Sequence, residues 1–202
     1  MIFEGNLKDI TGVILAGGKS KRLGRDKATL KIGRSYLIEF PLNVLKRHFE
    51  HTLVVTSKKL LQPLKTILSS DIDVVSDIYP AHGALGGIYT ALHNVQSTYI
   101  FVTACDMPFI NSGFVEFMLK LINGHDIIIP KGSKGYETLH AIYKKTLQET
   151  IKENILKNQN KIIDFFPKAD VLTIPIDEIK KYGMEEKMFR NINTKQELIE
   201  SF

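Results

Sequence analysis

The chain has 202 residues, 44% hydrophobic and 24% charged, a balance that excludes a disordered or fibrous protein and is enough to bury a core in one domain. Its formal charge of +5 is spread along the chain, which favours small anionic ligands and gives no massed basic tract for nucleic acid or a membrane surface. A single cysteine, Cys105, excludes an intrachain disulfide framework, and with no secretory leader and no apolar run of spanning length the expected location is the cytoplasm.

Residues 12–17 read as a buried strand, with the apolar run from Val13 to Ala16 stopped by Gly17-Gly18. Lys19, Lys21 and Arg22 follow, then Gly24 and the cluster Arg25-Asp26-Lys27. Glycines let a backbone approach a ligand closely, and successive N–H groups in such a turn form a concave anion site that nearby cations reinforce. Two other phosphate motifs fail. A P-loop ending in Gly18-Lys19-Ser20 would need glycine at position 13, which is Val13, and the spaced glycines of a dinucleotide fingerprint are absent. The loop therefore reads as a nucleoside triphosphate site at the end of the first strand.

Residues 36–49 carry helical spacing through Leu37, Phe40, Val44 and Leu45, with Pro41 near the first turn or at a kink. A strand at 52–56, a short helix at 60–68 and a strand at 73–75 ending at Asp77 come next. Residues 86–95 read as a helix opened by a glycine-rich loop, and 99–104 as an apolar strand stopping at Cys105-Asp106. A helix at 114–122 and a strand at 126–130 continue the alternation. Beyond it, 139–144 reads as a strand, 146–156 and 161–166 as helices, and 171–176 as a final strand. Strands alternating with helices imply an α/β, Rossmann-like fold, with a mostly parallel sheet covered by helices on both faces. Ligands of such sheets bind beyond the carboxyl ends of the strands, where Gly17, Asp77 and Asp106 fall.

The segment Leu15-Ala-Gly-Gly-Lys-Ser-Lys-Arg-Leu-Gly-Arg-Asp-Lys27 resembles the signature loop of the molybdenum cofactor guanylyltransferases, within the nucleotidyltransferases of the nucleotide-diphospho-sugar transferase type. Related pyrophosphorylases and cytidylyltransferases tend to carry alanine where Gly17 stands and proline where Asp26 stands. The resemblance continues through Asp77 and Gly83-Ala-Leu-Gly-Gly-Ile88, Cys105-Asp-Met-Pro108, Glu137-Thr-Leu-His-Ala141 and Asn191-Ile-Asn-Thr194. Ala84 and Thr138 depart from it, each standing where the family often has proline.

The resemblance implies one nucleotidyltransferase domain over 1–202, with a nucleotide-binding half at about 10–110 and an acceptor half at about 111–202. It implies a magnesium-dependent enzyme that transfers GMP from GTP to molybdenum-molybdopterin and releases pyrophosphate, alongside pathway enzymes that supply or receive the cofactor. A cytidylyltransferase of the same cofactor shares most of these motifs, and a catalytically silent nucleotide-binding protein is the alternative from another class. Asp106 is the candidate magnesium ligand, because that ion takes one or two carboxylates and keeps its other positions for phosphate and water. Lys27 is the candidate triphosphate contact and Arg22 the stabiliser of the leaving pyrophosphate. Leu15, Ala16, Gly17, Gly18 and Asp77 complete the expected nucleotide site, with the backbone at Leu15, Ala16 and Gly17 reading guanine in preference to cytosine.

On the acceptor side, His140 either faces the acceptor or is a core histidine. Asn191 and Asn193 share one face of an extended segment, and either line the site or cap the terminal helix. Cys105 reads as a small buried filler.

Overall fold

In the computed structural model the described residues are 9–17, 26–183, 185–192 and 197. The first strand, β1 (Ile10–Ala16), is buried along its whole length. A 3₁₀ turn, Lys27–Thr29, leads to a small hairpin of β2 (Lys31–Ile32) and β3 (Ser35–Tyr36). This hairpin shortens the helix expected at 36–49 to α1 (Glu39–His48). Glu39 Oε2 accepts from the Tyr36 N–H at 2.5 Å, satisfying a backbone group at the helix entrance. Pro41 sits in the first turn, where a missing N–H costs no intrahelical bond. Lys46, Arg47 and His48 in the last turn oppose the negative end of the helix dipole.

The chain then forms β4 (His51–Thr56), α2 (Leu61–Ile67), β5 (Asp73–Ser76), α3 (Gly83–Asn94), β6 (Tyr99–Ala104) and α4 (Ser112–Lys120). Asn111 caps α4 by accepting from the Phe114 N–H at 3.0 Å. β7 (Ile127–Gly132), β8 (Gly135–Tyr136) and β9 (His140–Lys144) lead to a 3₁₀ turn and α5 (Gln148–Leu156). The helix expected at 161–166 is instead a 3₁₀ segment, Ile162–Lys168, carrying Pro167. β10 (Val171–Pro175), α6 (Ile176–Lys180) and α7 (Glu185–Met188) complete the described elements.

The main sheet runs β10-β7-β9-β6-β1-β4-β5, with β8 added on β7. Pairing is parallel between β6, β1, β4 and β5 and between β7 and β10. β9 runs antiparallel to both of its neighbours, so the sheet is mostly parallel, as its apolar strands predict. Alternate residues of β1 serve the two faces. Ile10, Ile14 and Ala16 join the core under α1, α2 and α4, whereas Val13 and Leu15 join the core under α3 and α5. α3 is buried at every position from Leu85 to Leu92, because the sheet covers one side and α5 packs on another. No helix among the described residues is long and apolar enough to cross a membrane.

Candidate functional site

A cavity of about 640 Å³ lies at the carboxyl ends of β6, β1, β4 and β5. Its walls include Leu15, Ala16, Gly17, Lys27, Asp77, Asp106 and Asn191, so the structure gathers residues that lie up to 176 positions apart in sequence, from Leu15 to Asn191. Gly18, Arg22 and Asn193 lie outside the described residues.

Lys27 enters from the 3₁₀ turn, anchored by the buried Ala28 beside it. Its Nζ donates to Asp106 Oδ2 at 2.6 Å, and both side chains are mostly buried, at 18% and 14% exposure. Asp106 follows directly on β6. The Met107 N–H turns back to the Ala104 carbonyl at 3.2 Å, and the Asp106 carbonyl accepts from the Ile192 N–H at 2.8 Å. That second bond, with the fully buried Ile192, draws the C-terminal segment against the site and brings Asn191 to the cavity wall. Asp26 also lines the cavity and holds Lys59 at 3.0 Å, tying the first loop to the loop after β4.

Asp77 stands at the far end, past β5. Its own N–H donates to the Thr56 carbonyl at 2.7 Å, continuing the sheet register by one residue. Three strand spacings of about 4.8 Å separate β6 from β5, so the strands that lead to Asp106 and Asp77 run roughly 14 Å apart. Gly83 opens α3 at φ 58°, a conformation that suits glycine.

The backbone expected to read the base is already engaged. Leu15 O accepts from the Cys105 N–H at 3.1 Å and Ala16 O from the Thr56 hydroxyl at 3.0 Å. Both residues also pair with β4. Gly17 is exposed, and a Cβ there would meet nothing within 4 Å. A carbonyl has two acceptor directions, so these bonds do not remove Leu15 and Ala16 from the wall, and Asp77 adds a carboxylate to it. Cys105 is fully buried as a filler, and burial, followed by the neighbouring Asp106 charge, pushes its thiol far above the usual range.

His140 does not face the cavity. The register Thr103↔His140 turns its side chain onto the α4 face, while the preceding Leu139 lines the site. The ring lies against Phe101, Phe114 and Phe189 at centroid distances of 5.1, 5.7 and 5.1 Å, and neither ring nitrogen has a hydrogen-bond partner among the described residues. Burial lowers its pKa to about 3, so the folded chain holds it neutral. The unfolded chain binds a proton near pH 6.5, and the folded chain does so only near 3. Stability should be unaffected by this group above pH 6.5 and should fall by up to about 1.4 kcal/mol per unit as pH drops from there towards 3. In His140→Met, denaturant melts across that window should lose this slope and be no weaker at pH 7, since an unpaired buried polar ring is replaced by an apolar chain. An unchanged slope would assign the acid sensitivity to other groups.

The oxygen chemistry of the cavity suits a hard cation. Asp106 already accepts an ammonium at 2.6 Å, and the polar residue Asn191 lines the same wall. No group of three or more His, Cys, Asp or Glu side chains gathers among the described residues. Such a site fits magnesium, which binds through few protein ligands and the phosphates of its substrate, and does not fit a zinc-type cage. The wall residue Ser57 was not singled out by the sequence pattern, and Asp26 and Leu139 entered it only as members of the Arg25-Asp26-Lys27 cluster and the Glu137–Ala141 motif. Only the Thr56-Ser57 pair closing an apolar strand offered a signal, as polar residues at a strand end.

A family model described as the MobA-like NTP transferase domain matches residues 12–169. Proteins called probable molybdenum cofactor guanylyltransferase from Pelotomaculum thermopropionicum and Clostridium perfringens are 32% and 36% identical to this chain. The first match covers 95% of this chain and 91% of the relative, the second 93% of each. Among solved structures, molybdopterin-guanine dinucleotide biosynthesis protein A from Archaeoglobus fulgidus superposes with a TM-score of 0.80 at 26% identity. That match covers 95% of this chain and 96% of the other.

Proposed function

The chain belongs to the MobA-like NTP transferase domain family, and from that premise we propose that it transfers GMP from GTP to the phosphate of molybdenum-molybdopterin, forming the guanine dinucleotide cofactor. The observation that carries the reading is the Lys27–Asp106 pair at 2.6 Å on the wall of a cavity that also holds Asp77 about three strands away. That separation is comparable to the reach of a nucleotide from its α-phosphate to the far edge of its base. The phosphates belong at the Lys27–Asp106 end and the base at the Asp77 end. The relatives named as guanylyltransferases support guanine as that base.

In the reaction an acceptor phosphate oxygen bonds to the α-phosphorus while the bond to the β-phosphate oxygen breaks. Pyrophosphate leaves with the electron pair. No general base is needed, since the attacking phosphate is already ionised. The barrier is mostly repulsion between anions, which fixed positive charge lowers. Lys27 would leave Asp106 for the triphosphate, and Asp106 would hold magnesium, which supplies Lewis-acid neutralisation of the phosphate oxygens when bound. Arg22 belongs with the leaving pyrophosphate in this reading. The whole chain acts as one nucleotidyltransferase domain, in the cytoplasm, where the free Cys105 stays reduced. Its protein partners are the enzymes that supply molybdenum-molybdopterin or take the finished cofactor.

Pyrophosphate release should be followed with molybdenum-loaded molybdopterin and GTP, CTP, ATP or UTP in turn. GTP should lead by a wide margin, because a site built to hydrogen-bond one base leaves buried groups unpaired with another, worth about 10⁴ in rate. Preference for CTP would make the chain a cytidylyltransferase of the same fold. No pyrophosphate with any nucleotide would make it a binding protein.

A further inference from the structure

Asp77 is held by a clamp that the proposed reaction does not by itself require. Its Oδ1 accepts from the Tyr79 N–H at 2.9 Å and from the Thr90 hydroxyl at 2.9 Å. Thr90 is fully buried, one turn into α3 from Gly86. Its oxygen also accepts from the Ile78 N–H at 2.9 Å. The hydroxyl proton has a second acceptor within reach, the Gly86 carbonyl at 2.9 Å. The carboxylate is the stronger partner, because a charged acceptor roughly doubles the strength of such a bond. One threonine thus ties both the Asp77 side chain and the Ile78 backbone beside it to α3. Gly86 permits the approach: a Cβ there would lie 2.2 Å from the Tyr79 carbonyl oxygen.

We infer that Thr90 is a positioning residue that sets the selectivity for guanine by fixing the Asp77 carboxylate. This rests on the reading of GTP as substrate. Both donors in the clamp fall on Oδ1, which fills that atom's two acceptor directions. Oδ2 has no hydrogen-bond partner among the described residues and is the oxygen Asp77 can offer to a ligand at the cavity wall. A carboxylate only accepts, so the ligand edge it selects is a donor. Guanine carries two donors on that edge, N1–H and the 2-amino group, and in this reading Oδ2 takes the 2-amino group, the one that hypoxanthine lacks. With Thr90 in place the carboxylate cannot swing, and a base without the 2-amino group leaves a charged, desolvated oxygen unpaired.

Binding of GTP and of ITP should be measured by calorimetry on the intact chain and on Thr90→Val and Thr90→Ser. The intact chain should prefer GTP by about ten- to a hundredfold, the range expected for one hydrogen bond to a charged group. Thr90→Val keeps the shape and removes the hydroxyl. It should cut that ratio at least fivefold, with GTP weakened and ITP nearly unchanged. Thr90→Ser should restore the ratio. Thermal melts identify loss of folded protein, and if Thr90→Val does not fold, Thr90→Ala carries the test, since it too removes the hydroxyl that bonds Asp77 and Ile78 and should cut the ratio at least fivefold. A Val variant that weakens both nucleotides equally, or keeps the wild-type ratio, overturns the inference. Failure of the intact chain to bind GTP at all overturns the underlying substrate reading instead.

Discussion

Asp106→Asn is expected to fold and to lower turnover with GTP by about 10²–10³-fold, the usual loss when one preorganised electrostatic contact at the reacting centre is removed. The variant keeps the shape of the side chain and deletes its charge. It also removes the charge opposite Lys27, whose ammonium now sits 2.6 Å from the carboxylate. Removing one partner of an exposed pair costs about 1 kcal/mol or less, and of a fully buried pair about 3–5. With both side chains under a fifth exposed, Asp106→Asn should melt measurably below the parent chain. The double variant Asp106→Asn/Lys27→Met separates the two effects. Stability should rise above that of the single variant, because the ammonium no longer faces an uncharged amide, while turnover should stay low, because neither triphosphate contact nor metal ligand remains. Manganese or magnesium titrated calorimetrically in the presence of GTP should bind the parent chain and not Asp106→Asn. Near-normal turnover of the single variant at saturating magnesium would remove Asp106 from the chemistry.

The central strands were legible because each carries an apolar run, which glycine or aspartate follows in β1, β5 and β6. Parallel strands buried on both faces have to read that way, and their closing residues Gly17, Asp77 and Asp106 do share one cavity. Strand order was not legible. Nothing local in 139–144 says that it inserts antiparallel between β6 and β7, since that pairing closes a loop across the helix α4 and the strand β7. His140 depended on this. A side-chain period of two means that the register alone decides whether His140 or Leu139 faces the ligand, and the register chose Leu139. Asn191 reached the wall through a backbone bond from Ile192 to the Asp106 carbonyl, which no side-chain pattern announces. The same is true of the Thr90 clamp. A threonine in an apolar helix reads as core filler until the turn before the helix is seen folded back on it. The shortened α1 has a local cause: Gly33 at φ 59° turns the β2–β3 hairpin.

Asp77→Asn is expected to reverse the base preference, and the clamp is the reason the direction can be stated. A free asparagine could rotate to present either its oxygen or its nitrogen. Here the Tyr79 N–H and the Thr90 hydroxyl both need an acceptor at the Oδ1 position, so the amide oxygen is held there. The amide nitrogen must then take the place of Oδ2. The site changes from acceptor to donor at one atom, with almost no change in shape. The guanine 2-amino group would meet another donor, whereas xanthine offers a carbonyl at that carbon. Losing a bond to a charged group costs about 1.5–3 kcal/mol, or one to two decades in affinity, and a comparable gain for XTP gives a swing of about two to four decades in the GTP-to-XTP ratio. Competition binding with GTP, ITP and XTP on the same preparation measures it. Asp77→Ala supplies the control, since it removes the acceptor without adding a donor and should weaken GTP without favouring XTP. An Asn variant that loses GTP but gains nothing for XTP would place Asp77 away from the 2-position of the base, on the ribose or on a water, and the guanine selectivity would then have to come from another part of the wall.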